Sequence, residues 1–332
     1  MTGSEPSVTF VCCIEMGPLE HQTIRLVQSL RKWGGRFARC PVFAIKPRLG
    51  PPPAEATLRA LGKAEATYVS LRPGQRYGWF HQMNKSLALE AVEGRVHTEQ
   101  IIWLDSDIIV VGEPDALELR DDEDFAFVAG SKSGGTTGPD DPGEPFWRAM
   151  CEATGLSLDQ LPWIHSDMDG ETVRFYFNNG IFATRRGAGL GSVYRETLAA
   201  ILDAHICREG RGLWLIDQPS TALAVLRAGL RWRQCPYIYN YHVGPGLERY
   251  YNPELMQQAR LLHHHGAMRP DYWPKLLDLL GEHHPDVRDW LAPQGPIVYG
   301  HRLNDWRQAT RTLLLGIGSV QRSWHEARCH AL

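Results

Sequence analysis

The chain has 332 residues, 43% of them hydrophobic and 22% charged, the composition of a globular protein with ample material for a core. A formal net charge of −3 and a pI of about 6.5 give no global footprint for a nucleic-acid partner. The seven cysteines, Cys12, Cys13, Cys40, Cys151, Cys207, Cys235 and Cys329, are scattered and form no CxxC pair, which argues against a zinc site or a disulfide framework and for a reducing compartment.

The polar start MTGSEPS leads into the apolar run Val8–Ile14. That run is too short for the core of a signal sequence or for a membrane span, so the expected location is cytoplasmic, without a transmembrane anchor. Val8–Ile14 reads as a buried strand. Leu19–Trp33 then sets Ile24, Val27, Leu30 and Trp33 at helical spacing until Gly34-Gly35 stops it. Pro41–Ile45 and Thr67–Leu71 read as further strands, separated by the PRLGPPP break and a helical Ala54–Leu61. Trp79–Val92 predicts the next helix. It carries Lys85, for which a solvated helix lysine is the plain alternative to a functional cation.

The strand that follows, Gln100–Pro114 (QIIWLDSDIIVVGEP), carries the strongest chemical signal. Two carboxylates, Asp105 and Asp107, flank Ser106 and interrupt an otherwise apolar run. Buried unpaired anions cost several kcal/mol, so these acids either emerge at a strand end or meet a positive partner. A divalent cation carrying a diphosphate is such a partner, because carboxylate oxygens suit Mn²⁺ or Mg²⁺. The plainer reading is a turn with solvated acids.

Phe125–Ala129 predicts a strand, and the loop-rich Ser131–Glu144 (SKSGGTTGPDDPGE) has the composition of a lid or binding segment. A second D-x-D, Asp167 and Asp169, lacks an apolar strand before it and reads as a decoy. Val173–Thr184 is strand-like but contains Asn178, Asn179 and Gly180; the amides must satisfy buried hydrogen bonds, meet a polar ligand, or form an Asn-Gly hairpin turn. Helices are expected at Val193–Leu202 and Gln218–Ala228. Before the second, Asp217 and Gln218 follow an apolar run, with a helix N-cap as the structural alternative. After Pro236–Val243 comes Leu262–Pro270 (LHHHGAMRP), where an extended backbone would turn His263 and His265 one way and His264 the other. Neutral imidazole ligates Mn²⁺-type ions, and Arg269 has the fork for a phosphate.

These ordered motifs resemble the retaining glycosyltransferases of the GT-A fold, in particular family 8, the glycogenin and lipopolysaccharide galactosyltransferase type. The resemblance runs from Val8 to about Tyr272. It implies that Asp105, Asp107 and His263 hold Mn²⁺ or Mg²⁺, and that Lys85, Ser106, Gly180, Gly266 and Arg269 contact the donor. It also implies that Asn178, Asp217 and Gln218 act at the sugar, and that Glu15 helps hold the nucleotide base. Three positions depart from the pattern: Glu15 stands for an Asp, Arg269 for a Lys, and Pro219 for a second aspartate after Asp-Gln, which marks a divergent subfamily.

The expected architecture is a Rossmann-like mixed α/β sheet flanked by helices, a catalytic domain over residues 6–300, and a helical C-terminal extension over 301–332. The expected reaction moves a hexose from a nucleoside-diphosphate sugar, UDP-sugar favoured, to a glycan, lipid or protein acceptor, with retention. A catalytically silent sugar-nucleotide-binding protein and a haloacid-dehalogenase-type phosphatase are the alternatives. In Arg302–Trp324, Leu303, Trp306, Leu313 and Ile317 fall near one face with arginines flanking. Such a helix either docks on the core or lies peripherally on an anionic membrane.

Overall fold

A computed structural model describes residues 7–298, apart from 73 and 75, and residues 306–332. The chain opens with strand β1 (Val8–Cys13), helix α1 (Pro18–Trp33), strand β2 (Val42–Lys46), helix α2 (Glu55–Lys63) and strand β3 (Ala66–Ser70). Helix α3 (Met83–Glu93) returns the chain to β4 (Gln100–Leu104), which lies parallel to β1 on its other edge. Strands β5 (Ile108–Val110) and β6 (Phe125–Ala129) follow, then α4 (Glu144–Ala153), the hairpin β7 (Trp163–His165) and β8 (Thr172–Arg174), and the long strand β9 (Phe177–Arg185). Next come α5 (Leu190–Asp203), β10 (Ile206–Cys207), α6 (Asp217–Arg227), β11 (Trp232–Cys235), β12 (Tyr241–His242), α7 (Pro253–Gln258) and β13 (Leu261–His263). Helices α8 (Trp273–His283), α9 (Pro285–Leu291) and α10 (Trp306–Glu326) and strand β14 (His330–Ala331) complete the described chain.

The main sheet runs β11-β6-β9-β4-β1-β2-β3 and is mixed, because β9 is antiparallel to both of its neighbours. A smaller sheet, β12-β13-β5, stands beside it. Helices cover both faces, which is why β1, β4 and β6 read as continuous apolar runs. One apolar layer packs Leu26, Val27 and Leu30 of α1 with Leu276 and Leu280 of α8; the other packs Leu87 and Leu89 of α3 with Trp103, Phe127, Phe182 and Leu198.

Four expectations are corrected. The run through Asp105 and Asp107 is two strands in two sheets, so the acids occupy the joint between them. The Asn-Gly hairpin turn does not form: Asn179-Gly180 lies inside β9, whose ladders to β4 and β6 outweigh local turn preference. The single strand expected over Val173–Thr184 breaks at the buried Phe175 and Tyr176. The helix expected from Trp79 starts at Met83, because Trp79–Gln82 forms a turn whose Trp79 and Phe80 rings pack 5.4 Å apart.

The boundary expected at residues 300–301, and with it Arg302 and Leu303, lies outside the described residues. Helix α10 packs back on the core through His325, whose ring lies 6.0 Å from Tyr77 and 5.5 Å from Trp79. Beyond it, Glu326 accepts a bond from the Leu213 amide at 3.1 Å, and β14 pairs with β10. Among the described residues no helix is long and apolar enough to cross a membrane.

Candidate active site

The order of the main sheet reverses between β1 and β4, and ligands of open α/β sheets bind in the crevice that such a switch leaves at the carboxyl ends of the strands. Cys13 ends β1 there, and Asp105 follows β4 directly. The Asp105 amide donates to the Gly180 carbonyl at 2.7 Å, its Oδ1 accepts from Trp103 Nε1 at 2.8 Å, and its Oδ2 accepts from Lys85 Nζ at 3.1 Å. Ser106 Oγ donates to the Cys13 carbonyl at 2.5 Å and so ties the acidic turn to β1.

The pairing of β13 with β5 brings His263 opposite Ile108 and sets its Nε2 3.3 Å from Asp107 Oδ1. Its Nδ1 lies 3.1 Å from Asn240 Oδ1, an acceptor that keeps the proton on Nδ1 in the neutral ring and aims the other nitrogen at the acids. Asp105, Asp107 and His263 each offer one ligand atom, all within 4.8 Å of one another. Two carboxylates and one neutral imidazole suit Mn²⁺ or Mg²⁺, so the residues fit the expected ion.

Burial raises the Asp107 carboxyl, but the adjacent His263 ring, when it is protonated on both nitrogens, outweighs burial and holds the group well below the ordinary carboxylate range. Burial pushes His265 down to about 3 and His264 to about 4, keeping both rings neutral at physiological pH. The alternation expected of the histidines is present: His263 and His265 stack at 3.9 Å, while His264 is buried with neither ring nitrogen hydrogen-bonded. Gly180 makes room for this arrangement, since a Cβ there would stand 2.5 Å from His263 Cε1.

Lys85 is not a solvated lysine. It is 8% exposed, and its Nζ donates to Asn179 Oδ1 at 2.7 Å and to the Asn179 carbonyl at 2.8 Å, with Asp217 Oδ2 at 3.9 Å. The ammonium therefore sits between two carboxylates, which offsets the several kcal/mol that burying it alone would cost. Asp217 does not cap α6 with its side chain. Burial raises its carboxyl despite Lys85 nearby, and its Oδ1 is buried without a hydrogen-bond partner. Gln218 Oε1 accepts from the Tyr176 hydroxyl. Asn178 Oδ1 accepts from the Gly180 amide at 2.9 Å and from Asn240 Nδ2 at 3.2 Å.

Lys85, Asp105, Ser106, Asp107, Asn178, Asp217, Gln218 and His263 line one cleft of about 360 Å³. A cavity of about 580 Å³ adjoins it through His81, walled by Glu15, Lys46, Arg48 and Trp79 on one side and by Arg311, Leu314, Gly318 and Arg322 of α10 on the other. Both Glu15 oxygens are held by Arg48, at 2.6 and 2.7 Å. Gly266 and Arg269 line neither space, and Arg269 is exposed on the turn after His265. Asp167 and Asp169 lie in the β7–β8 hairpin turn, outside both. The Ser131–Glu144 loop does not overhang the cleft; its Thr136 is buried against the core.

Sequence reasoning did not assign roles to Asn240, His242 or Tyr176, and it chose Asn178 over Asn179. Asn179 is the hub, with its Nδ2 donating to Asp217 Oδ2 at 3.2 Å and Thr221 Oγ1 at 2.9 Å. A buried amide inside a strand was the available signal. His242, 3.3 Å from His265, enters only through the pairing of β12 with β13.

A family model described as the Rhodobacterales glycosyltransferase domain matches residues 10–229. Among solved structures, the chain is similar to an active-site mutant of the galactosyltransferase LgtC, with a TM-score of 0.51, 11% identity and coverage of 82% of this chain and 95% of that one. The complex of LgtC with donor and acceptor sugar analogs gives 0.50, 12%, 83% and 96%. The apo structure of the bifunctional glycosyltransferase WbbM gives 0.49 and 9%, over 86% of this chain but only 52% of that one. At these identities the likeness concerns the fold, which is that of GT-A glycosyltransferases. No curated protein sequence matches the chain.

Proposed function

Because the chain belongs to the Rhodobacterales glycosyltransferase domain family, we propose that it moves a hexose from a nucleoside-diphosphate sugar, uridine diphosphate favoured, to a glycan, lipid or protein hydroxyl, with a divalent ion and with retention at the anomeric carbon. The observation that carries this reading is the convergence of Asp105, Asp107 and His263 with Lys85, Asp217 and Gln218 in one cleft at the switch point of the sheet.

In the reaction the bond from anomeric carbon to diphosphate oxygen breaks and the diphosphate leaves with the electron pair; the acceptor oxygen bonds to carbon on the same face, and its proton passes to the departing diphosphate oxygen. Asp105, Asp107 and His263 would hold Mn²⁺ or Mg²⁺, which when bound neutralises charge growing on the leaving diphosphate. Lys85 fixes Asp105 and adds positive charge behind it. Asp217 Oδ1, buried and unpartnered, is placed to accept from a sugar hydroxyl or to face a positively charged ring. Tyr176 and Asn179 hold Gln218 and Asp217 in position, which limits what must be ordered when the donor binds. The adjoining cavity, with Glu15 and Arg48 at its rim, has room for the nucleoside.

Screening nucleotide sugars by thermal shift with and without Mn²⁺ tests the reading. The true donor at 100 times its Kd stabilises by about 2.7 kcal/mol through mass action, and this shift depends on Mn²⁺. The stabilising donor is then expected to be hydrolysed or transferred with Mn²⁺ present. Metal-independent binding, or binding with neither hydrolysis nor transfer, would overturn the proposal. The haloacid-dehalogenase alternative is set aside by the family match and by the acids following β4 instead of β1.

The finer location proposed is peripheral, at an anionic membrane surface. Helix α10 walls the nucleoside cavity with one face and exposes Leu313 at 64%, Val320 at 55% and Trp324 at 68% on another, which suits the interfacial zone of a bilayer. Leu313→Glu with Trp324→Glu is expected to abolish sedimentation with phosphatidylserine vesicles while donor hydrolysis persists. Wild-type protein that never sediments with such vesicles would make the helix a structural clasp only.

A further inference from the structure

A second group of metal-ligating side chains lies at the end of α10. His205 follows α5, at the residue where the chain turns with φ near 50° toward β10; His325 is in the last turn of α10; Cys329 immediately precedes β14. One ligand atom from each lies within 4.8 Å of the other two. The His205 and His325 ring centroids are 4.7 Å apart. The Cys329 thiol donates to the His325 carbonyl at 3.4 Å, and Cys207 of β10 stands opposite Ala331 of β14, two residues beyond Cys329.

One nitrogen of each imidazole in this group is not satisfied by protein. His325 is 8% exposed, and its Nε2, like His205 Nδ1, is buried without a hydrogen-bond partner. Each such orphan costs about 1–3 kcal/mol, a cost that a polar or ionic occupant would remove. The donor set names the occupant. Two imidazoles and a thiol are borderline-soft ligands that select zinc, whereas the carboxylate-rich cleft selects hard ions. With Zn–S near 2.3 Å and Zn–N near 2.1 Å, tetrahedral ligand atoms stand roughly 3.5 Å apart, so side-chain rotations of about 1 Å close the group onto an ion.

We propose that His205, His325 and Cys329 bind zinc, with Cys207 on the adjoining strand β10 as the fourth ligand, in a structural site that staples the end of α10 to the loop after α5. The pattern escapes sequence reading because the close pairs, His205 with Cys207 and His325 with Cys329, match neither CxxC nor HxxxH, and α10 and the β10–β14 pairing bring the two pairs together across more than 100 residues. Zinc binding displaces the thiol protons and leaves two thiolates on the ion. The staple would fix α10 as the wall of the 580 Å³ cavity.

The test is the zinc content of full-length protein after dialysis against a mild chelator, read by release on denaturation. Wild type and Asp107→Asn are expected to retain stoichiometric zinc, while Cys329→Ser and His325→Ala lose most of it. Re-adding zinc after stripping should raise the Tm of wild type and not of Cys329→Ser. Co²⁺ in place of zinc should give a thiolate-to-metal absorption band that Cys329→Ser weakens. Wild type without stoichiometric zinc, equal content in Cys329→Ser, or a Cys207–Cys329 disulfide in the unreduced denatured chain would each overturn the site. Retention of zinc by Asp107→Asn keeps this outcome separate from the cleft.

Discussion

Asp107→Asn is expected to lower divalent-dependent turnover of the donor by on the order of 10³-fold while leaving the melting temperature nearly unchanged. The amide keeps the shape of the carboxylate and removes the charge that faces His263 Nε2 at 3.3 Å. The backbone carbonyl of Asp107, which accepts from the His264 amide at 2.9 Å, is untouched, so the joint between the sheets survives. A Lewis-acidic ion contributes several kcal/mol to a transition state, and about 1.4 kcal/mol is tenfold in rate, which sets the expected loss. The measurement is initial rate against Mn²⁺ concentration, with circular dichroism to check the fold. Near-normal Mn²⁺-dependent rates in the variant would remove Asp107 from the site.

His263→Ala and His264→Ala are expected to separate completely, although the two residues are adjacent. Loss of His263 removes a ligand atom and should weaken Mn²⁺ binding in the presence of nucleotide by at least ~10–100-fold, the scale on which even a supporting partner of a ligand acts. His264 points the other way, into the core, so its loss leaves the ligand set intact and opens a cavity that costs about 1–3 kcal/mol. The readouts are Mn²⁺ affinity by electron paramagnetic resonance and Tm by calorimetry. The first should move only in His263→Ala, and Tm should fall more in His264→Ala. Equal losses of Mn²⁺ affinity would mean that the histidine run has no privileged member and that the metal lies elsewhere.

Where pattern and chemistry were local, the sequence was sufficient. The apolar runs at Val8 and Gln100 had to be strands covered on both faces, because nothing else buries so many consecutive β-branched and aromatic side chains. Two acids inside the second run had to emerge at a strand end or meet a positive partner; they occupy the joint after β4, and Lys85 meets Asp105 there. His263 and His265 share one side, as an extended chain would place them, but β13 ends at His263 and the backbone turns at His265 with φ near 44°, so the turn sets their stacking.

What depended on long-range pairing was not legible. The Asn-Gly pair is a sound hairpin signal, yet two flanking ladders hold it inside β9, where Asn179 becomes the partner of Lys85 and Asp217. Lys85 carries no sequence mark that distinguishes it from a solvated helix lysine; only the packing of α3 against the sheet buries its ammonium between two carboxylates. Asn240 and His242 come beside His263 and His265 because β12 pairs with β13, and no residue near them announces that partner. The scattered cysteines read as evidence against zinc, because ligand spacing along the chain is the only signal a sequence offers. His325 and Cys329 are four residues apart, but only the folded chain sets them beside His205.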